Sequence, residues 1–200
     1  MLEDIAEIKA RLYTTYRVLY DGVDERVGRV ASNRTLGLFA LCDNHVKSTD
    51  IVCEVGSFSG VSSEVFSLYA KEVHCIDTWK PCHEMPSLAA FVEAEKLFDA
   101  MVKRRGNVIK KKGTSYDVAL DYVDGYFDLI YIDASHRYID VVEDIGIWSR
   151  VLKPNGLMTG HDFDIPDVKR AVLKMFPSRH IIVYDDQSWV VYAKEDSYDV

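Results

Sequence analysis

The stretch His180-Ile181-Ile182-Val183-Tyr184-Asp185-Asp186-Gln187-Ser188-Trp189-Val190-Val191-Tyr192-Ala193 holds two β-forming runs, 180–184 and 189–193, around a turn-like Asp185-Asp186-Gln187. No crossover helix fits in that gap, so the two strands must pair antiparallel. Upstream the pattern is different. From Asp50 onward short apolar runs alternate with helical stretches, as in a parallel sheet covered by helices. Strands are expected at 51–55, 73–77, 107–110, 129–133 and 156–160, and helices at 62–70, 88–105, 116–122, 138–152 and 166–176. The helix at 138–152 has the sharpest signal: Val141, Val142, Ile145, Trp148, Val151 and Leu152 form one apolar stripe, and Pro154 with Gly156 stops it. The expectation is an α/β three-layer sandwich on a seven-stranded, mostly parallel sheet whose last strand runs antiparallel.

The 50 residues before the first strand read as a helical extension. Ile5, Ile8, Leu12 and Tyr16 recur at helical spacing, and a second helix is expected at 35–42. Such an extension can pack on a partner copy, cover a site or cap the sheet, so a homodimer is compatible with it. The core is set at 51–194 and a tail at 195–200.

Bulk composition narrows the function classes. Of 200 residues, 24 are Lys or Arg and 32 are Asp or Glu, a formal charge of -8 that opposes a phosphate backbone; nucleic acid is not the expected partner. The basic clusters at 103–105 and 110–112 read as solvated charge at element ends. Cys42, Cys53, Cys75 and Cys82 show no Cys-x-x-Cys spacing and read as reduced thiols. No run of 18 apolar residues occurs, so no membrane span is expected and a cytoplasmic location is the default.

The residues that carry chemistry fall at strand ends. The first strand leads into Gly56-Ser57-Phe58-Ser59-Gly60, where two glycines let the backbone approach a ligand and a helix start offers free N–H groups. Glu54, an acid in a buried strand, needs a cationic or hydrogen-bonding partner, which the ammonium group of a ligand could supply. Asp77 ends the second strand, placed to accept hydrogen bonds from both ribose hydroxyls. Together they suggest a positively charged nucleoside. A nicotinamide dinucleotide is the competitor, but Phe58 stands at the middle glycine of Gly-x-Gly-x-x-Gly, and no Walker loop is present. Further on, Asp133 and His136 emerge from the fourth strand and His161 and Asp162 from the fifth; paired acids there suit Mg²⁺ or another hard divalent cation.

Four segments resemble the class I S-adenosylmethionine-dependent methyltransferases, with the nearest likeness to the macrocin and catechol O-methyltransferase-like group: Glu54 to Gly60, Gly113-Thr114-Ser115, Tyr131 to Tyr138, and Gly160-His161-Asp162-Phe163. The resemblance implies a Rossmann-like fold with strand order 3-2-1-4-5-7-6. It further implies that Glu54, Gly56 and Gly60 hold the methionine end of S-adenosylmethionine, that Asp77 holds the ribose and that Ser115 borders the adenine; Ser57, Phe58, Thr78, Trp79 and Thr114 beside them are the other expected cofactor contacts, with Trp79 placed either to cover the adenine or to edge the cavity. Asp133 matches both a cofactor contact and a metal ligand, Asp162 a second metal ligand, and His136 a base that approaches the acceptor hydroxyl. One departure matters: Phe163 stands where the metal-dependent members carry another amide or carboxylate, leaving Asp164 or His161 to complete a metal site, or none. The implied activity is O-methylation of a small molecule. A catalytically silent cofactor-binding module and a nicotinamide-dependent oxidoreductase are the alternatives. The segment from Trp79 to Pro86 is expected to form a lid or cavity edge.

Overall fold

The computed structural model describes residues 36–192, together with Glu7, Ile8, Ala10 and Arg11. In chain order the elements are α1 (Leu36–His45), β1 (Ile51–Val55), α2 (Val61–Tyr69), β2 (Glu72–Asp77), α3 (Leu88–Arg104), β3 (Val108–Lys112), α4 (Ser115–Ala119), β4 (Phe127–Ile132), α5 (Tyr138–Val151), β5 (Leu152–Gly160), α6 (Pro166–Met175), β6 (Ile181–Val183) and β7 (Trp189–Tyr192). They build one seven-stranded sheet in the order β3-β2-β1-β4-β5-β7-β6. Strands β3, β2, β1, β4 and β5 run parallel, and β7 lies antiparallel between β5 and β6. The short turn at 185–187 forces that reversal, as its length demanded.

The sheet's two faces carry separate cores. One gathers Cys53, Val55, Phe127, Ile145, Trp148 and Trp189; the other gathers Val52, Val65, Phe66, Phe98, Leu129 and Tyr131. Alternation along β1 sends Cys53 and Val55 to one side and Val52 and Glu54 to the other, which is why a central strand of this sheet reads as a continuous buried run. Cys42, Cys53 and Cys75 are buried free thiols and Cys82 is an exposed one. Among the described residues no helix is long and apolar enough to cross a membrane.

The leading region joins this core. Leu38, Leu41 and Cys42 of α1 and Ile8 pack in the same cluster as Val65 and Phe66. Asp186 in the β6–β7 turn reaches back to accept the Leu38 N–H at 2.6 Å, so the hairpin caps the start of α1. Glu7, Ile8, Ala10 and Arg11 include helical positions, in keeping with the expected first helix; Ile5, Leu12 and Tyr16 lie outside the described residues, as do Ala193 and the tail at 195–200.

Of the boundaries that differ from the sequence expectation, three have a cause legible in the structure. Strand β5 begins at Leu152 rather than 156, because Phe127 pairs with Leu152 while Leu129 pairs with Leu157; the bulge accommodates Pro154, which cannot donate to a ladder. Helix α4 is shorter, starting at Ser115 behind Thr114, whose hydroxyl accepts the Asp117 N–H at 3.1 Å. Strand β3 continues to Lys112, and its lysines are not simply solvated. Lys110 pairs with Glu95 at 2.8 Å and Asp99 at 2.6 Å, and Lys112 with Glu95 at 2.6 Å. Arg104 and Arg105 likewise face Glu64, a buried acid of α2 that Arg11 also reaches at 2.8 Å.

Candidate active site

The parallel strands deliver their carboxyl ends to one edge, where open α/β sheets bind ligands. Along the strand order this edge presents Asp162 after β5, Asp133 at β4, Gly56 at β1, Asp77 at β2 and Thr114-Ser115 after β3. A cavity of about 1260 Å³ runs along it and is lined by all six of these residues, by Ser57 and Phe58, and by Thr78 and His136.

The β1–α2 turn is built on left-handed backbone at Gly56 (φ 96°), Phe58 (φ 41°) and Gly60 (φ 83°). A Cβ on Gly56 would lie 2.1 Å from the Asp133 carbonyl oxygen, so only glycine lets the β1 and β4 ends pass each other this closely. That approach is locked by the Asp133 N–H donating to Val55 O at 2.8 Å. Asp77 organises the neighbouring side: its Oδ2 accepts the Phe58 N–H at 2.9 Å and its Oδ1 the Trp79 N–H at 2.6 Å. Burial raises the Asp77 carboxyl above its usual range even against these hydrogen bonds.

Three of the expected ligand contacts sit behind the cavity wall. Glu54 is fully buried, and the hydroxyls of Ser62 and Ser63 donate to its two oxygens; helix α2 supplies the partner that a ligand ammonium group was expected to supply. Burial still raises its carboxyl. Gly60 faces the core, where an added Cβ would meet Met101 at 2.7 Å and Phe98 at 2.9 Å. Trp79 is 4% exposed and turns inward onto Phe98, with its Nε1–H donating to Phe58 O at 2.7 Å and Lys110 above its ring at 4.4 Å. Large and amphipathic, it serves as a strut for the glycine turn rather than a cover for the cavity.

At the other end Asp133, His136, His161 and Asp162 converge. Asp162, held at φ 58°, accepts from His136 Nε2 at 2.8 Å and from His161 Nδ1 at 3.1 Å, and His161 Nδ1 stands 3.9 Å from Asp133. Glu84, from the loop after β2, closes the cluster. It accepts from His136 Nδ1 at 2.7 Å, from the His136 N–H at 3.1 Å and from Ser135 Oγ at 3.0 Å. The segment 79–86 thus forms the expected cavity edge through Glu84.

The charges set one another. Burial raises the Asp133 carboxyl to about 7 against the pull of His161. The hydrogen bond to Asp162 raises His136 to about 9, and Asp133 with Asp162 lifts His161 to about 9 although burial opposes its charge. Asp162 is held well below the usual carboxylate range by the two imidazoles, despite burial. Donor atoms of Asp133, His136 and Asp162 lie within 4.8 Å of one another, a donor set able to hold a divalent ion. Phe163 instead packs on the apolar core, and of the two substitutes His161, not Asp164, stands against both acids.

Sequence reasoning missed Asp144 of α5, which is 8% exposed and lines the cavity. The signal was present: a charged residue at the spacing of the stripe Val141, Ile145, Trp148. Burial raises its carboxyl to about 6, against the hydrogen bond from Ser115 and with Asp140 and Glu143 adding to the rise. Because the folded state holds the proton more tightly, the stabilising contribution is complete below the unfolded value near 4 and is lost as pH climbs through about 6. Asp144→Asn, with no charge to bury, therefore gains on the wild type between pH 5 and pH 8 by on the order of 1–2 kcal/mol in urea unfolding. Parallel stability profiles for the two proteins count against this.

The chain matches the family model described as a methyltransferase domain over residues 53–163, which spans β1 to the end of β5. No curated protein matches it. Among solved structures, a methyltransferase from Geobacter sulfurreducens is 16% identical, with a TM-score of 0.61 over 96% of this chain and 91% of that one. Cofactor-bound Rv0187 from MTB is 14% identical, with a TM-score of 0.61 over 96% and 92%. A caffeoyl-CoA O-methyltransferase candidate from Staphylococcus aureus is 16% identical, with a TM-score of 0.60 over 95% and 92%. These likenesses concern the fold; the match over more than half of the residues places the chain in a family, and the chain belongs to the methyltransferase-domain family.

Proposed function

We propose that the protein transfers a methyl group from S-adenosylmethionine to a hydroxyl of a small-molecule acceptor. The observation that carries this reading is a single cavity joining the Gly56–Phe58 turn and Asp77 to the cluster of Asp133, His136 and Asp162. Its size exceeds what one nucleoside needs, leaving room for an acceptor beside it.

The residues present fit the cofactor. The turn after β1, left-handed at Gly56 and Phe58, lines the cavity with backbone unencumbered by a Cβ at Gly56, where the amino-acid end of the cofactor would meet it. Asp77 takes the ribose. The carboxylates of Asp133 and Asp162 also fit a divalent cation, Mg²⁺ or another, which when bound would lower the pKa of the acceptor hydroxyl and leave the His136 imidazole for its proton.

Methyl transfer from a sulfonium is an in-line displacement, so the chain's task is alignment and removal of one proton. The wall from β4 to β5 orients the acceptor, and His136 is the group placed to take its proton. As it stands, His136 donates to both Glu84 and Asp162. In that charged state the ring cannot take a proton; the Nε2 proton must first leave to solvent, after which an entering acceptor hydroxyl donates to the bare Nε2 in place of the Asp162 contact, while Glu84 accepts from Nδ1–H and fixes the ring plane.

Titration calorimetry with S-adenosylhomocysteine tests the reading. Folded protein takes up the nucleoside, Asp77→Asn weakens uptake by about tenfold, the loss expected for a hydrogen bond to a charged group, and NAD⁺ does not bind. Absence of uptake by folded wild type, or uptake of NAD⁺ instead, overturns it. Radiolabelled methyl transfer to a set of phenolic and sugar hydroxyl compounds then identifies the acceptor.

A further inference from the structure

The base end of the cavity holds a nearly buried carboxylate with an open hydrogen-bond acceptor, Asp144. The two hydroxyls at the start of α4 are committed elsewhere: Thr114 Oγ1 donates to Asp117 Oδ2 at 2.7 Å and accepts the Asp117 N–H at 3.1 Å. Ser115 Oγ donates to Asp144 Oδ1 and accepts from Trp148 Nε1 at 2.8 Å. Neither is free to read a nucleobase with a side-chain donor. Asp144, in contrast, has one oxygen held by Ser115 and no hydrogen bond to Oδ2 from the described residues, although the residue is nearly buried and lines the cavity.

An acceptor that opens on the cavity is available to a ligand, and a matching donor would offset part of the cost of burying the rest of the carboxylate. Position says which part of the ligand that is. The strand-end order runs from Asp162 and Asp133 through Gly56 to Asp77 and then Ser115, so a nucleoside whose ribose lies on Asp77 and whose sulfur lies toward Asp133 turns its base to Ser115 and its partner Asp144. A carboxylate is acceptor only, so it matches an N–H₂ group and repels a carbonyl.

We infer that Asp144 selects the nucleobase of the cofactor, its open oxygen accepting a hydrogen bond from the 6-amino group of adenine and rejecting a purine that carries a carbonyl there. This rests on the nucleoside reading of the cavity given above. It moves base recognition from the hydroxyls after β3 to a residue midway along α5, held in place by the chain Trp148–Ser115–Asp144.

The test compares S-adenosylhomocysteine with its 6-oxo analogue, S-inosylhomocysteine, by calorimetry on the whole protein. Wild type prefers the amino compound by tenfold or more, the scale on which a site built around a hydrogen bond rejects the analogue lacking it. In Asp144→Asn the amide oxygen can keep the Ser115 bond and turn its N–H₂ to the cavity, so the preference shrinks or inverts. Equal affinity of wild type for both compounds overturns the inference while leaving the nucleoside reading intact. So does a wild-type preference that survives in Asp144→Asn with both affinities lowered by one factor, the mark of a merely structural role. Failure of folded wild type to bind either compound overturns the nucleoside reading, and this inference with it.

Discussion

Replacing His136 by Ala lowers methyl turnover by about 100-fold or more and leaves affinity for S-adenosylhomocysteine within about threefold, the scale of a lost general base. The asymmetry follows from position. His136 meets the cavity at the β4–β5 end, among Glu84, Asp162 and Asp133, while Gly56 and Ser57, which follow β1, and Asp77, which ends β2, are the residues proposed to meet the cofactor. Deleting the imidazole also removes one of two positive partners from Asp162, but His161 remains at 3.1 Å to hold that carboxylate. Turnover is followed with the acceptor identified by the hydroxyl screen, and nucleoside affinity by calorimetry. Equal loss of both quantities refutes a base role and marks His136 as part of the cofactor's support.

Gly56→Ala is the second large effect, and it acts on the fold and the site together. The residue sits at φ 96°, which costs an L-residue about 1–2 kcal/mol. Its new Cβ would also press on the Asp133 carbonyl at 2.1 Å, a backbone atom that can yield only if the β4 end moves. The combined cost is on the order of 3 kcal/mol in denaturant unfolding, with S-adenosylhomocysteine affinity reduced by tenfold or more because Asp133 and the Ser57 turn no longer face one cavity. Gly106→Ala, where an added Cβ meets nothing within 4 Å, serves as the control with little change. A Gly56→Ala protein as stable as that control would show that the turn tolerates a side chain after all.

Both effects concern residues visible before any coordinates. The glycine turn stands out because it follows an apolar strand and precedes a helix, and Asp133 and His136 because they follow another such strand. Element type and order were legible for the same reason: apolar periodicity and connection length are local properties, and a three-residue gap cannot hold a crossover helix. That three candidate residues do not line the cavity has a common cause. Glu54, Gly60 and Trp79 lie in or beside the turn and so read as ligand contacts, yet each faces a neighbouring helix: Glu54 the serines of α2, Gly60 and Trp79 the packed side chains of α3. Alternation along a strand tells which residues share a face, but not what the next layer places against it.

Long-range pairing was out of reach altogether. Glu84 meets His136 across 52 residues and Ser115 meets Asp144 across 29, and no spacing rule connects them. The basic cluster at 110–112 looked solvated until α3 was seen to bring Glu95 and Asp99 beside it.

By itself, then, the amino-acid order determined the layered α/β plan, the antiparallel finish and the set of strand-end residues from which a site can be built, since each follows from periodicity and reach along the chain. Tertiary structure alone decided which of those side chains look into the cavity, that His136 is held between two carboxylates, and that Asp144 has an oxygen left over. Those outcomes depend on which helix packs over which strand, and so on distances between residues far apart in the chain.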